Sequence, residues 1–148
     1  MATTILTVDD DRRFVDVLQN LLEENPEFQV VGEAENGQQA IGRVDDLRPD
    51  VVLLDLTMPL LNGFDTLREI KHRWPNIKII ILTVHSDYQY QMAAFENGAD
   101  GFLPKKDLGT ALVPMIGQVV FSPTKGQIRS ERNNQEAHYH DIYSSRRR

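Results

Sequence analysis

The sequence contains no cysteine, which excludes disulfide bonds, thiolate metal sites and a cysteine nucleophile. It also has no apolar run near the roughly 18 residues that a membrane-spanning helix needs. The opening residues, MATTILTVDDD, carry no basic segment and turn acidic at once, unlike a secretory signal peptide. From these absences we expect a cytoplasmic protein that does not bind membranes.

Positive charge is scarce over most of the chain, which has a formal net charge of −6. An acidic balance argues against direct nucleic-acid binding and against a membrane-surface binder. The exception is the segment 122–148, which has six basic residues against three acidic ones and few apolar residues. Such a segment cannot build a core of its own. We therefore expect one domain over residues 1–121, followed by a polar, basic and flexible tail or linker.

Short apolar runs alternate with amphipathic helical patterns along the first 121 residues. The run 51–54, VVLL, is typical of a central strand that is covered on both faces. Five strand–helix units predict an α/β fold with a doubly wound, flavodoxin-like parallel sheet in the order 2-1-3-4-5. In the last helical pattern, Pro114 lies between Gly109 and Gly117, which predicts a kink or a late start. The predicted strands are residues 5–8, 28–31, 51–54, 77–82 and 101–104.

Acidic residues follow two strands that are neighbours in the predicted order. Asp9 and Asp10 follow the first strand, and Asp55 follows the third. Their carboxylates should meet at the switch point of the sheet, where ligands bind in such folds. Ionised together they repel one another, and a divalent cation relieves this repulsion. Oxygen ligands without histidine or cysteine favour Mg²⁺, with Mn²⁺ as an alternative.

Two further polar residues end the neighbouring strands: Thr83 follows the fourth apolar run and Lys105 follows the fifth. A hydroxyl and an ammonium beside a metal can position a phosphoryl group and offset its charge. In such a site Asp55 is suited to act as the nucleophile and form an acyl phosphate. Asp11, by contrast, is expected to cap the first helix.

Five motifs carry a resemblance to a known family. Intervals of 45, 28 and 22 residues separate Asp10, Asp55, Thr83 and Lys105. In this order and spacing the chain resembles the receiver domain of two-component response regulators, from residue 3 to about 120. The segment DGFLPKKDL is similar to receivers of the helix-turn-helix DNA-binding branch. The motifs are VDD (8–10), LLDLTMP (53–59), NG (62–63), ILTVH (81–85) and GADGFLPK (98–105).

The resemblance implies a phosphoryl and metal site. Asp55 would be the phosphoacceptor, and Asp9 and Asp10 would hold Mg²⁺, with Asp10 as the more direct ligand. The backbone carbonyl of Thr57 would supply another metal oxygen. Lys105 would contact the phosphoryl oxygens.

The resemblance also implies a conformational switch and residues that set the rate of autodephosphorylation. Thr83 would turn toward the phosphoryl group, and Phe102 would move with it. Thr57 and His85 would tune autodephosphorylation. One departure concerns the lysine, because proline precedes it here instead of following it. Spacing selects Lys105, but a slip of one residue would select Lys106.

The first function hypothesis is a phosphorylation-dependent switch. A sensor histidine kinase or phosphotransfer protein would donate to Asp55, and the surface of helix 4, strand 5 and helix 5 would then bind an unknown downstream protein. A homodimer is also possible. No enzymatic turnover is expected beyond self-phosphorylation from a donor and autodephosphorylation.

Three alternatives stay open. The chain would be a receiver fragment of a two-domain DNA-binding transcriptional regulator if a helix-turn-helix domain belonged to it, but residues 122–148 lack that periodicity. An aspartyl-nucleophile phosphohydrolase is a remote alternative, because that class has its signature on the first strand and Asp55 follows the third. A degenerate receiver that takes no phosphate is disfavoured, because all site positions carry competent residue types.

Overall fold

The computed structural model describes residues 2–57, 62–85 and 87–122. Within these ranges five strands alternate with five α-helices, and a short 3-10 helix precedes the last of them. The elements are β1 (Thr3–Val8), α1 (Arg12–Glu23), β2 (Phe28–Ala34), α2 (Gly37–Leu47), β3 (Val51–Leu54), α3 (Gly63–Arg73), β4 (Lys78–Thr83), α4 (Tyr88–Glu96), β5 (Gly101–Pro104), the 3-10 helix (Lys105–Asp107) and α5 (Leu108–Phe121).

The strands form one parallel sheet in the order β2-β1-β3-β4-β5, which confirms the predicted doubly wound, flavodoxin-like fold. The central register decides where the acidic residues fall. Val8 pairs with Leu54, so the residues that follow them, Asp9 and Asp55, leave the sheet at the same edge. The topology thus brings together two carboxylates that are far apart in sequence.

Alternate side chains of the central strands enter two separate cores. Val52 and Leu54 pack on the face covered by α2, α3 and α4, whereas Val51 and Leu53 pack on the face covered by α1 and α5. Every residue of β3 and β4 is buried. Each fully buried Leu, Ile or Val stabilises the fold by about 1.5–3 kcal/mol. The two-sided burial explains why these strands appear in the sequence as continuous apolar runs.

Of the two effects predicted for Pro114, a kink or a late start of the last helix, the late start is wrong and the kink stays a prediction. Helix α5 begins at Leu108, directly after the 3-10 helix, and Pro114 lies inside it on the exposed side. A proline in a helix interior removes a hydrogen bond and costs about 3 kcal/mol. Burial of the apolar side of α5 against the sheet offsets this cost. The buried residues are Leu108, Leu112, Ile116 and Val119.

Strand β2 is longer than predicted, because it reaches Ala34 and pairs with β1 along its whole length, with one irregularity after Ile5. The predicted loop around Pro59 lies outside the described residues, as does the predicted tail apart from Ser122. The predicted domain boundary after residue 121 stays a prediction. Among the helices in the described ranges, none has both the length and the apolar character of a membrane span.

Gly63, the first residue of α3, allows that helix to approach the segment that follows Asp55. A Cβ atom at Gly63 would lie 2.4 Å from the Cα of Leu56, a distance that real Cβ atoms do not reach. The neighbour is backbone, so it cannot turn aside as a flexible side chain can. A Cβ atom added at Gly42, on α2, would have no atom within 4 Å apart from the adjacent backbone of its own helix.

We predict that Gly63→Ala lowers the free energy of unfolding by about 2 kcal/mol, because the new methyl group overpacks a rigid backbone contact. The matched control Gly42→Ala should raise it by about 0.5–1 kcal/mol, since alanine is the better helix former. Urea unfolding of both variants measures the difference. Equal stability of the two variants would show that the close approach of α3 to Leu56 does not exist in solution.

Candidate metal and phosphoryl site

Three carboxylates converge at the carboxyl edge of β1 and β3. One oxygen from each of Asp9, Asp10 and Asp55 lies within 4.8 Å of the others. Asp9 and Asp55 are buried, with 5% and 3% of their surfaces exposed, while Asp10 is exposed at the mouth. The structure therefore assembles the acidic group that the sequence predicts.

Asp9 is the most constrained of the three. Its Oδ1 accepts a hydrogen bond from the backbone N–H of Asp11 at 2.9 Å. Its buried Oδ2 lies 2.8 Å from the Lys105 Nζ, an ion pair that lacks the geometry of a hydrogen bond. Burial raises the pKa of Asp9, and the charge of Asp55 adds to this effect while Lys105 opposes it. One ammonium thus does not compensate the negative charge of the site.

These features fit a hard divalent cation. Asp9 Oδ2 is buried, and among the described residues its one charged neighbour of opposite sign is the Lys105 ammonium, while Asp10 offers an exposed carboxylate nearby. Mg²⁺ prefers oxygen ligands and keeps several waters, so a few carboxylates at a solvent-facing mouth suit it. The residues present therefore fit Mg²⁺, in agreement with the prediction, and Mn²⁺ has the same ligand preference.

Asp55 is held by Thr57 on its other side. The Thr57 backbone N–H donates to Asp55 Oδ1 at 3.2 Å, and its hydroxyl lies 3.1 Å and 3.3 Å from the two carboxylate oxygens. Lys105 Nζ is 3.6 Å from Asp55 Oδ2. The Thr57 side chain thus covers the carboxylate that the sequence nominates as nucleophile. This position suits the predicted tuning residue, while the predicted metal contact of its carbonyl stays a prediction.

Of the two adjacent lysines, Lys105 enters the site. It is the first residue of the 3-10 helix, and its side chain is only 15% exposed, whereas Lys106 is exposed. The Lys105 ammonium also lies 4.1 Å from the centre of the Phe14 ring, on α1. The sequence pattern placed Phe14 only on the apolar side of that helix, and no signal in it indicated a contact with the lysine.

The two predicted switch residues lie deeper, on β4 and β5. Thr83 is fully buried, and its Oγ1 accepts a hydrogen bond from the backbone N–H of His85 at 3.1 Å. Phe102 is buried in the core on the α4 side of the sheet. The His85 ring stacks on Tyr90, with 4.8 Å between ring centres and 11° between ring planes. Tyr90 was not predicted to take part in the site.

Comparisons with known proteins agree with this geometry. The family model described as the response regulator receiver domain matches residues 5–116. The transcriptional regulatory protein DegU of Brevibacillus brevis is 34% identical over 112 residues, which cover 76% of this chain and 48% of that protein. The nitrate/nitrite response regulator NarL of Escherichia coli K12 is 37% identical over 69% of this chain and 47% of its own length. The chain thus matches about half the length of these curated relatives.

Relatives of other kinds share the same region. A protein-glutamate methylesterase/protein-glutamine glutaminase of Pseudoalteromonas atlantica is 42% identical over 72% of this chain but only 28% of that protein. Among solved structures, a two-component response regulator of the LuxR family from Aurantimonas superposes with a TM-score of 0.77 at 30% identity, covering 81% of this chain and 86% of that one. The response regulator domain of Thermotoga maritima CheB gives 0.74 at 25% identity, covering 83% and 100%.

The raised pKa of Asp9 leads to a prediction about stability. A carboxyl whose folded pKa is raised contributes stability at low pH, and this contribution is lost as pH rises above its usual value of 3.8. We therefore expect Asp9→Asn to stabilise the metal-free protein at pH 7, with a gain that shrinks toward pH 4. Urea unfolding at several pH values measures this gain.

Mg²⁺ should stabilise the wild type in the same assay and should stabilise Asp9→Asn far less. Asp11→Asn is the matched control, because Asp11 caps α1 and asparagine caps equally well. If Mg²⁺ fails to stabilise Asp11→Asn as fully as it fails to stabilise Asp9→Asn, the roles of Asp9 as a metal ligand and Asp11 as a helix cap have been assigned wrongly.

Proposed function

The chain belongs to the response regulator receiver family, and from this premise we propose that it is a phosphorylation-dependent switch that receives a phosphoryl group on Asp55. The observation that carries the proposal is the convergence of Asp9, Asp10 and Asp55 with the Lys105 ammonium at one edge of the sheet. The phosphoryl donor is a histidine kinase or a phosphotransfer protein. A histidine kinase takes its phosphoryl group from ATP, and for this reason we propose a cytoplasmic location.

The chemistry assigned to Asp55 is a single displacement. One carboxylate oxygen attacks phosphorus, and a new O–P bond forms as the bond from phosphorus to the donor breaks. The Asp55 carboxylate is buried, which limits the access of bulk water to it before the transfer. Mg²⁺ held by Asp9, Asp10, Asp55 and the Thr57 carbonyl would neutralise charge on the transferred group.

Lys105 supplies the second positive charge. Its ammonium already lies within 3.6 Å of both buried carboxylates, so it reaches the place where new phosphoryl oxygens would lie. Because ion pairing with Asp9 and Asp55 keeps the ammonium in the site beforehand, little reorganisation is needed when the group arrives. The role proposed for Lys105 is contact with those oxygens.

We assign the conformational response to Thr83 and Phe102. The Thr83 hydroxyl accepts a bond from His85, which leaves its own proton free to donate toward a phosphorylated Asp55. To donate in this way the Thr83 side chain would rotate toward Asp55. This rotation would break the hydrogen bond from the His85 backbone N–H and change the conformation around His85, before α4. A modification that favours one of two existing conformations then shifts their populations.

The output surface proposed here is formed by α4, β5 and α5. On α4, Met92 and Phe95 are exposed although apolar, at 38% and 40%. Exposed apolar clusters of this kind mark contact sites for proteins. The partner is a downstream protein or a second copy of the chain. His85 stacks on Tyr90 of the same helix, so the proposed tuning residue is joined to this surface.

A second candidate, the receiver part of a DNA-binding transcriptional regulator, is supported by the lengths of the relatives. The chain matches 48% of DegU and 47% of NarL, which are named as regulators. The phosphoryl chemistry would be the same, and only the readout would differ. Reading the gene beyond the codon for Arg148 distinguishes the two. In neither case do we propose turnover beyond accepting and releasing one phosphoryl group.

The first test is intact-mass and peptide mapping after incubation with acetyl phosphate, with and without Mg²⁺. We expect one phosphoryl group on Asp55, present only with Mg²⁺, because the carboxylate cluster needs the cation's charge. Asp55→Asn should lose the label completely. Asp50→Asn, an acid at the opposite end of β3, is the matched control and should keep it. A label that persists in Asp55→Asn would move the phosphoacceptor elsewhere.

The switch role has its own test. Thr83→Ala should keep the phosphoryl label but show a smaller change at Phe102 on adding Mg²⁺ and beryllofluoride, followed by NMR of the Phe102 ring. Thr7→Ala is the matched control, because Thr7 is also a buried strand threonine and its hydroxyl has no hydrogen-bond partner among the described residues. A full response in Thr83→Ala would remove Thr83 from the switch.

A further inference from the structure

The Lys105 ammonium contacts groups of two different kinds. Two are carboxylates: Asp9 Oδ2 at 2.8 Å and Asp55 Oδ2 at 3.6 Å. The third is the face of the Phe14 ring, whose centre lies 4.1 Å from Nζ. Both carboxylates belong to the proposed metal and phosphoryl site, so other positive charges compete for them. The aromatic ring is the one of these three groups that a metal ion does not take.

Phe14 is tied to the site through the backbone. The Phe14 N–H donates to Asp11 Oδ1 at 3.4 Å, and the Asp11 N–H donates to Asp9 Oδ1 at 2.9 Å. Lys105 then joins the Phe14 ring to the other oxygen of Asp9. The four residues form a closed circuit of contacts around the Asp9 carboxylate. The position of the ring is therefore set by the acidic segment that also supplies the metal ligands.

We propose that Phe14 is a positioning residue for Lys105, an inference that rests on the proposed function of Asp55. A divalent cation at Asp9 and Asp55 repels the ammonium and weakens both of its ion pairs. The negative face of an aromatic ring still attracts the ammonium, and this attraction grows when water is excluded. The ring thereby keeps Lys105 facing Asp55 while the carboxylates turn to the metal and the phosphoryl group.

A simpler role for Phe14 is packing alone. The ring is half-buried and packs against the core between the sheet and α1 and α5. An aliphatic side chain such as leucine would meet that need, but it has no π face for the ammonium. Tyrosine preserves both the packing and the π face. Phe14→Leu and Phe14→Tyr therefore separate packing from positioning, and urea unfolding shows whether both variants fold.

The first readout is NMR of the metal-free, unphosphorylated protein. Lys105 Nζ lies over the ring in the structure, so the ring current should shift the protons on the adjacent Cε upfield. The signal is assigned by its loss in Lys105→Arg. We expect the upfield shift in the wild type and in Phe14→Tyr, and its loss in Phe14→Leu. If the wild type shows no such shift, the contact does not exist in solution and the inference is overturned.

The second readout is the affinity for beryllofluoride, a phosphoryl analogue, at saturating Mg²⁺. Phe14→Leu should weaken it by about three- to tenfold, the range of a partly desolvated cation–π contact, while Phe14→Tyr stays within about twofold. Equal losses in both variants would reduce Phe14 to packing. An unchanged affinity in Phe14→Leu would show that the ring contacts Lys105 without positioning it. If the wild type binds no beryllofluoride although the ring-current shift is present, the proposed function fails rather than the contact.

Discussion

The crowding of carboxylates at the ends of β1 and β3 is the constraint on which the rest of the site depends. Parallel pairing of Val8 with Leu54 forces Asp9 and Asp55 to the same edge, where both are buried. Burying like charges together costs free energy that apolar packing on both faces of the sheet has to offset. The negative charge of the site is therefore not fully compensated, and this favours the binding of a cation there.

Lys105 compensates the negative charge of Asp9 and Asp55 only in part. Its ammonium pairs with Asp9 and approaches Asp55, yet the pKa of Asp9 remains raised because burial outweighs the pairing. A second buried positive side chain would neutralise the carboxylates and remove the attraction for a metal ion. With no positive side chain at all, the two buried carboxylates would have no compensating charge. A single lysine, held by carboxylates and an aromatic face, lies between these limits and suits the proposed function, in which the site accepts both a cation and a dianionic group.

The sequence predicted those features that depend on periodicity and on strand ends. Strand order, the meeting of Asp9, Asp10 and Asp55, and the cap at Asp11 all follow from local patterns together with the rules for parallel sheets. The prediction that α5 starts late was wrong because it considered the cost of Pro114 but not the stabilisation from burial along the opposite side of the helix. Contacts such as Phe14 with Lys105 were not predicted, since periodicity assigns a residue to one side of an element but not to a partner on another element.

At the amino ends of β4 and β5, by contrast, a partly buried carboxylate is paired. There Lys71 Nζ pairs with Asp100 Oδ2 at 2.9 Å and also donates to the carbonyls of Pro75 and Ile77. The same Asp100 oxygen accepts from the backbone N–H of Ile79, so this oxygen has both an ion-pair partner and a backbone donor. Because these charges are paired and hydrogen-bonded, little is gained there by binding an ion. Asp9 Oδ2, at the carboxyl end of β1, has no hydrogen bond of this kind among the described residues, and this is why a charge change at the neighbouring Asp55 is expected to act on the loops and helices there.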